Sequence, residues 1–306
     1  MGRPRNLFKN TSITVISLMI ALFGVLISCK SSQKEEKSET GTTSESSVAV
    51  TSLFNGKDLS GWYTYLRPPE PGSVVEGMEK VDGKYVEPIG LHKDPLHVFT
   101  VVVEDDAPAI RISGEVFGVL TTDREFENYH LSLEFKWGEK RFPPREDSKR
   151  DSGVLYHSVG KEGVAGGSWK RSVELQVQEG DVGDLWCVDS TTAMVRTIRL
   201  PNKKYRYDRQ GEYREIDMRE DRYCQKSADF EKPNGAWNRL DIFAYGRESI
   251  HAVNGQKNMH LTNIGEFVDG RIMPLSKGRI QIQSEGAEVF YRNINIKSIK
   301  ELPEVR

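Results

Sequence analysis

Polar and apolar positions alternate along most of the chain from residue 48 onward. In HLSLEFKW (130–137), Leu131, Leu133, Phe135 and Trp137 fall on one side, and His130, Ser132, Glu134 and Lys136 on the other. A period of two is that of a half-buried strand. SGVLYHSV, VELQVQ, NRLDIFAYG, SIHAVNGQ, GRIQIQSEG and VFYRNINIKSI share this character: short, alternating or β-branched, and bounded by Gly, Asn or Asp. Asn254-Gly255 is a strong signal for a two-residue hairpin turn. No window carries an amphipathic helix of useful length. Strands at this spacing, with turn signals between them, predict an all-β sandwich or jelly roll of two antiparallel sheets. It spans 51–306 as a single domain, with a long irregular insertion near 186–235.

VELQVQ adds chemistry to the pattern. Val173, Leu175 and Val177 fill one side of this segment, and Glu174, Gln176 and Gln178 the other. In a sandwich the apolar sides of the two sheets face each other. The polar side therefore looks outward, either onto water or into the trough of a curved sheet that grips a polar ligand such as a sugar. Glu179 joins that side only if a bulge adds one residue, a common device beside active sites.

The N-terminus follows a different rule. Arg3, Arg5 and Lys9 precede an uncharged run from Ile13 to Ile27, which ends in Leu26-Ile27-Ser28-Cys29. A basic start, a short apolar core and a small residue before the break describe a secretory signal, and the run is short of the roughly 20 residues a spanning helix needs. LISC resembles the lipobox of bacterial lipoproteins, which implies a signal peptide over 1–28 and acylation of Cys29. Acyl chains, at ~0.8 kcal/mol per buried methylene, would hold the protein at a membrane. Residues 29–50 read as a flexible polar tether, because KSSQKEEKSETGTTSESS contains nothing to bury. The expected location is the bacterial envelope, with the protein lipid-anchored and facing the periplasm or the cell surface.

Composition narrows the partners. The chain has 306 residues, is 29% charged and carries a formal net charge of −2, which gives no electrostatic ground for nucleic-acid binding. Cys187 and Cys224 form an even pair in an oxidising compartment, so a disulfide and two buried thiols are the alternatives. No Cys-x-x-Cys or His-x-x-x-His spacing points to zinc.

LFNGKDLSGW (53–62), GVLTTDREFENYHLSLEFKWGEKRF (118–142), RDSGVLYH (150–157), SVELQVQEGDVGDLW (172–186), WNRLDIFAYG with VNG, and GRIQIQSEGAEVFYRNINI (278–296) together resemble the 3-keto-disaccharide hydrolase domain family. The resemblance covers 51–300. It implies a concanavalin A-like jelly roll and activity on sugars oxidised at C3. The family often carries an arginine near the end of its SGI strand, where this chain has His157.

A C3 ketone acidifies the hydrogen at C2, so the glycosidic bond can break by proton abstraction, elimination and later addition of water. That route needs a base at C2, a group facing the enolate oxygen and an acid for the leaving oxygen. Glu174 is the first candidate acid or base, with His157 and Glu179 as further catalytic candidates. Gln176 and Gln283 are candidate hydrogen-bonding residues for sugar hydroxyls. Lys136, beside Glu134, is a candidate for facing the enolate, and Trp169 for stacking on a sugar face. A divalent metal held by Glu174, Glu179 and His157 would serve the same enolate, although no spacing demands one. Two alternatives stay open: a carbohydrate-binding surface lipoprotein without activity, and a conventional sandwich-fold glycosidase.

Overall fold

The computed structural model describes residues 49–305. The expected signal peptide, Cys29 and all but the end of the expected tether lie outside the described residues. Among those described there is no helix, and two large antiparallel sheets carry the fold, one of twelve strands and one of nine.

The nine-stranded sheet runs Tyr223–Cys224, Leu185–Val188, Arg171–Gln178, Asp151–Val159, Lys277–Ser284, Gly118–Thr122, Trp62–Leu66 and Gly90–Leu91, with Phe126–Glu127 paired to the side. The twelve-stranded sheet is built around Tyr129–Arg141, which pairs with Asn238–Tyr245 and Ala287–Ser298. Both sheets turn their apolar alternation inward. Leu131, Leu133 and Phe135 of one sheet and Val173, Leu175 and Val177 of the other share a single core cluster. The result is the jelly-roll sandwich that the period of two predicts. The hairpin at Asn254-Gly255 forms as expected, with Val253 opposite Gln256 and both turn residues at positive φ, 51° and 80°.

The segment 186–235 departs from expectation. It is not an irregular insertion but part of both sheets. Leu185–Val188 and Tyr223–Cys224 extend the nine-stranded sheet, while Thr191–Arg199, Tyr205–Tyr207 and Glu212–Asp217 extend the other. Tyr205–Tyr207 and Tyr223–Cys224 are short, and Glu212–Asp217 is charged and exposed at its start, so no clean apolar alternation marks these three.

Candidate active site

Cross-strand register places one residue from each of seven strands in a row along the outer face of the nine-stranded sheet. The row is Tyr223, Trp186, Glu174, Leu155, Gln281, Thr121 and Tyr63. Leu155 and Val119 on this face are buried yet lie outside the core cluster. The loop 160–170 is anchored across this part of the face. Lys170 N donates to Gln281 Oε1 at 3.1 Å, and Lys170 Nζ and Tyr63 Oη both donate to Glu162 Oε1 at 2.7 Å. What stays open is a cleft of about 430 Å³ around Glu174, lined also by Gln176, Gln178, Gln283, Trp169 and Trp186. Three amides, an acid and two indoles make a lining suited to a polyhydroxylated ligand.

Glu174 is only 5% exposed, and its position depends on a glycine. A Cβ on Gly153 would fall 2.1 Å from Glu174 Oε1 and 2.6 Å from Gln283 Oε1, so the two side chains lie directly over that bare stretch of backbone. Burial pushes the Glu174 carboxyl well above the usual carboxylate range. The charges of Glu285 and Asp151 push the same way, and hydrogen bonding from Gln283 only partly opposes them.

Asp151 and Glu285 also line the cleft. Arg145 stands between them, with Nη2 at 2.5 Å from Asp151 Oδ2 and Nη1 at 3.5 Å from Glu285 Oε1. Gln178 Nε2 also donates to Asp151 Oδ2, at 2.5 Å. Burial raises Asp151 well above its ordinary value. Burial raises Glu285 to about 7, against the pull of Arg145 and Arg67. Two neighbouring carboxyls, Glu285 raised to about 7 and Glu174 held well above its ordinary range by burial, are suited to an acid–base pair.

The cleft brings Glu174, Gln176, Gln283 and Trp169 together. Other candidates stand elsewhere. His157 is fully buried, with both ring nitrogens unpartnered. It occupies an irregular part of its strand at φ 51°, and packs edge-on against Tyr129 and Tyr156 at centroid distances of 6.0 and 5.1 Å. The break in register turns the ring away from the face that alternation assigns to it. Glu179 lies past the strand end, held by Arg150 at 3.1 Å and by Asn234 at 2.7 Å. Glu134 and Lys136 belong to the twelve-stranded sheet, on the far side of the sandwich. Glu134 pairs with Arg292 at 2.8 Å, and Lys136 with Glu104 and Asp105. Alternation reports which side of a strand is polar, not which sheet that strand joins.

The ligand set Glu174, Glu179 and His157 is thus dispersed, and among the described residues no three His, Cys, Asp or Glu side chains gather as a metal site. Cys187 and Cys224 are buried free thiols, not a disulfide. Sequence reasoning missed Asp151, Glu285, Arg145 and Trp186, and only the first two had partial signals. Asp151 precedes Gly153 by two positions and Glu285 follows Gln283 by two, so longer alternation would have reached both. Trp186 required knowledge that its segment pairs with VELQVQ. Arg145 comes from a loop and left no periodic signal.

A more open hollow of about 750 Å³ lies over the strands Thr191–Arg199 and Glu212–Asp217. Three of its four acids are already matched: Arg219 pairs with Glu215 and Asp217, and Arg214 with Glu220.

Comparison with known proteins places residues 49–297 in a match to the 3-keto-alpha-glucoside-1,2-lyase-like domain family. No curated protein matches the chain. Among solved structures, a candidate glycosyl hydrolase from Parabacteroides distasonis ATCC 8503 is 17% identical, with 82% of this chain and 94% of that one covered and a TM-score of 0.42. A β-glucanase of Bacillus licheniformis is 8% identical over 83% and 98% of the two chains, with a TM-score of 0.39. A carbohydrate-binding module from Bacillus subtilis is 10% identical over 65% and 92% of the two chains, with a TM-score of 0.37.

Proposed function

Because the chain belongs to the 3-keto-alpha-glucoside-1,2-lyase-like domain family, we propose that it cleaves glycosides oxidised at C3 by elimination at C2, followed by addition of water. The observation that carries this reading is the pairing, in one sugar-sized cleft, of Glu174, whose carboxyl burial holds well above the usual range, with Glu285, which burial raises to about 7. A ketone at C3 makes a carboxylate strong enough to remove the C2 proton, which an unoxidised sugar would not yield.

In this scheme Glu285 takes the proton from C2. The electron pair left behind delocalises onto the C3 oxygen, which faces the Arg145 guanidinium. Lys136, expected to supply that positive charge, sits on the other sheet. As the enolate collapses, the C1–O bond breaks and the departing oxygen receives the proton of Glu174. Water then adds across the C1=C2 bond, its hydroxyl to C1 and a proton to C2, and the sum is hydrolysis. Gln176 and Gln283 hold hydroxyls, and burial of the cleft strengthens each of these contacts. We also read Cys29 as the point of lipid attachment, which places the enzyme at the bacterial envelope. Labelled palmitate entering the native chain but not a Cys29→Ser chain is the check.

The test compares a 3-keto-disaccharide with its unoxidised parent in deuterated water. Elimination predicts turnover of the keto sugar alone, with deuterium at C2 of the product above that from solvent exchange without protein. Equal cleavage of both sugars with no deuterium at C2 would indicate a conventional glycosidase. Binding without turnover by the native protein would indicate a capture lipoprotein. Glu174→Gln should lose about 10²–10⁴-fold in kcat, the usual weight of a general acid, while still binding the sugar.

A further inference from the structure

In the cross-strand row, the residue registered directly opposite Glu174 on the strand toward the sheet edge is Trp186. Opposed residues on one face hold their Cβ atoms about 5 Å apart, so this indole stands beside the carboxyl. On the other side of Glu174 the row continues with Leu155, which is fully buried, and Gln281, whose amide is taken by Thr121 and Lys170. Trp186 is therefore the row's partly exposed neighbour of Glu174. It lies outside the core cluster and lines the cleft.

The ring is braced. Tyr223, opposite it on the edge strand, packs against it at a centroid distance of 5.0 Å and an interplanar angle of 51°. The Tyr223 hydroxyl donates to Asp184 Oδ2, and Asp184 Oδ1 accepts from Lys226 N at 2.8 Å. Asp184 is 1% exposed, so the brace is fixed to the body of the sheet. A large aromatic held rigid from one side and open on the other is costly as packing alone, and it suits a ligand with an apolar face. The remaining lining of amides and carboxyls handles hydroxyls; only an aromatic surface handles the C–H face of a sugar ring.

Resting on the glycoside reading above, we propose that Trp186 is the stacking platform for the sugar ring whose bond is cleaved, and that Tyr223 holds it in place. Trp186 positions the ring so that C1 and C2 face Glu174 and Glu285. It takes pyranosides through their C–H face.

The test measures binding of a 3-keto-disaccharide by calorimetry in the Glu174→Gln protein, with Trp186 native or replaced. Trp186→Ala should weaken binding at least tenfold and Trp186→Phe by no more than about threefold. In the active protein the loss should fall on KM more than on kcat. The sugar should change the tryptophan fluorescence of Glu174→Gln, and Trp186→Phe should remove the larger part of that change, the remainder coming from Trp169 in the same cleft. If Trp186→Ala melts before it can be measured, Trp186→Leu takes its place with the same expectation. Undiminished affinity in these variants, with turnover of the keto sugar intact in the otherwise native protein, overturns the platform and leaves the reaction standing. If the protein with native Trp186 neither binds nor cleaves the sugar, the glycoside reading itself falls and the platform with it.

Discussion

Gly153 and Glu174 stand on neighbouring strands, and the glycine leaves the space that the carboxyl occupies. A single methyl group at residue 153 would sit 2.1 Å from Glu174 Oε1, well inside van der Waals contact. The atoms it meets are the ends of side chains, so the fold can yield while the site cannot. Gly153→Ala is expected to cost stability only about 1–3 kcal/mol, the range for overpacking. Turnover should fall by about 10²-fold, the scale set by a 1 Å misplacement of a reacting group. Thermal melting alongside kcat separates the two effects. Full activity in Gly153→Ala would mean that the observed position of Glu174 is not the working one.

Arg145 sets the ascending limb of the pH profile. Glu285, raised to about 7 by burial, acts only once it has lost its proton, so kcat/KM should climb through pH 7. It should decline again at higher pH as Glu174 ionises. Arg145 pulls the Glu285 value down, so Arg145→Met should move the ascending limb to higher pH as well as lower the plateau. The stability sign is opposite to the activity sign. A carboxyl whose folded value lies above its ordinary 4.5 stabilises the fold below pH 4.5, and that contribution is lost as pH rises toward 7. A limb that stays in place in the variant would remove Glu285 from the mechanism.

These two sites also show how far the sequence could be read. Two-residue alternation gave the strands, the sandwich and the polar side of VELQVQ, because each is a local consequence of a pleated backbone with one wet face. It could not say that Glu134 and Lys136 lie on the opposite sheet, since pairing is non-local. Nor could it see that a break in register turns His157 inward. The carboxyls that complete the site, Asp151 and Glu285, each follow the alternation of their strands. Arg145 reaches them from a loop whose path no periodicity encodes.

His157 should affect stability, not chemistry. Burial lowers its value from 6.5 to about 3, so the folded ring stays neutral while the unfolded one takes up a proton below pH 6.5. The contribution is fully present above pH 6.5 and is lost as pH falls toward 3. At pH 5 that is about 2 kcal/mol, at 1.36 kcal/mol per unit. His157→Asn keeps a residue type that tolerates positive φ. It should lower stability at pH 7, flatten the decline between pH 7 and 5, and leave kcat within a few-fold. Urea unfolding at the two pH values measures the first two quantities. A collapse of kcat in a folded His157→Asn protein would return this histidine to the site.

The loop 160–170 depends on one buried ion pair. Lys170 and Glu162 meet at 2.7 Å with side chains 9% and 15% exposed, and Tyr63 donates to the same carboxyl oxygen. Removing one partner strands the other's charge away from water, which typically costs about 3–5 kcal/mol, whereas removing both is far milder. Glu162→Ala should therefore free the loop locally, since its strand ladders elsewhere are untouched. Amide exchange in 160–170 should quicken by orders of magnitude while the Tyr129–Arg141 strand stays protected. Because Trp169 lines the cleft from this loop, KM should rise more than kcat falls. Glu162→Gln combined with Lys170→Met should recover most of the protection that Glu162→Ala loses. If the double variant is as labile as the single one, the pair is not what holds the loop, and the Lys170 N to Gln281 bond becomes the next anchor to remove.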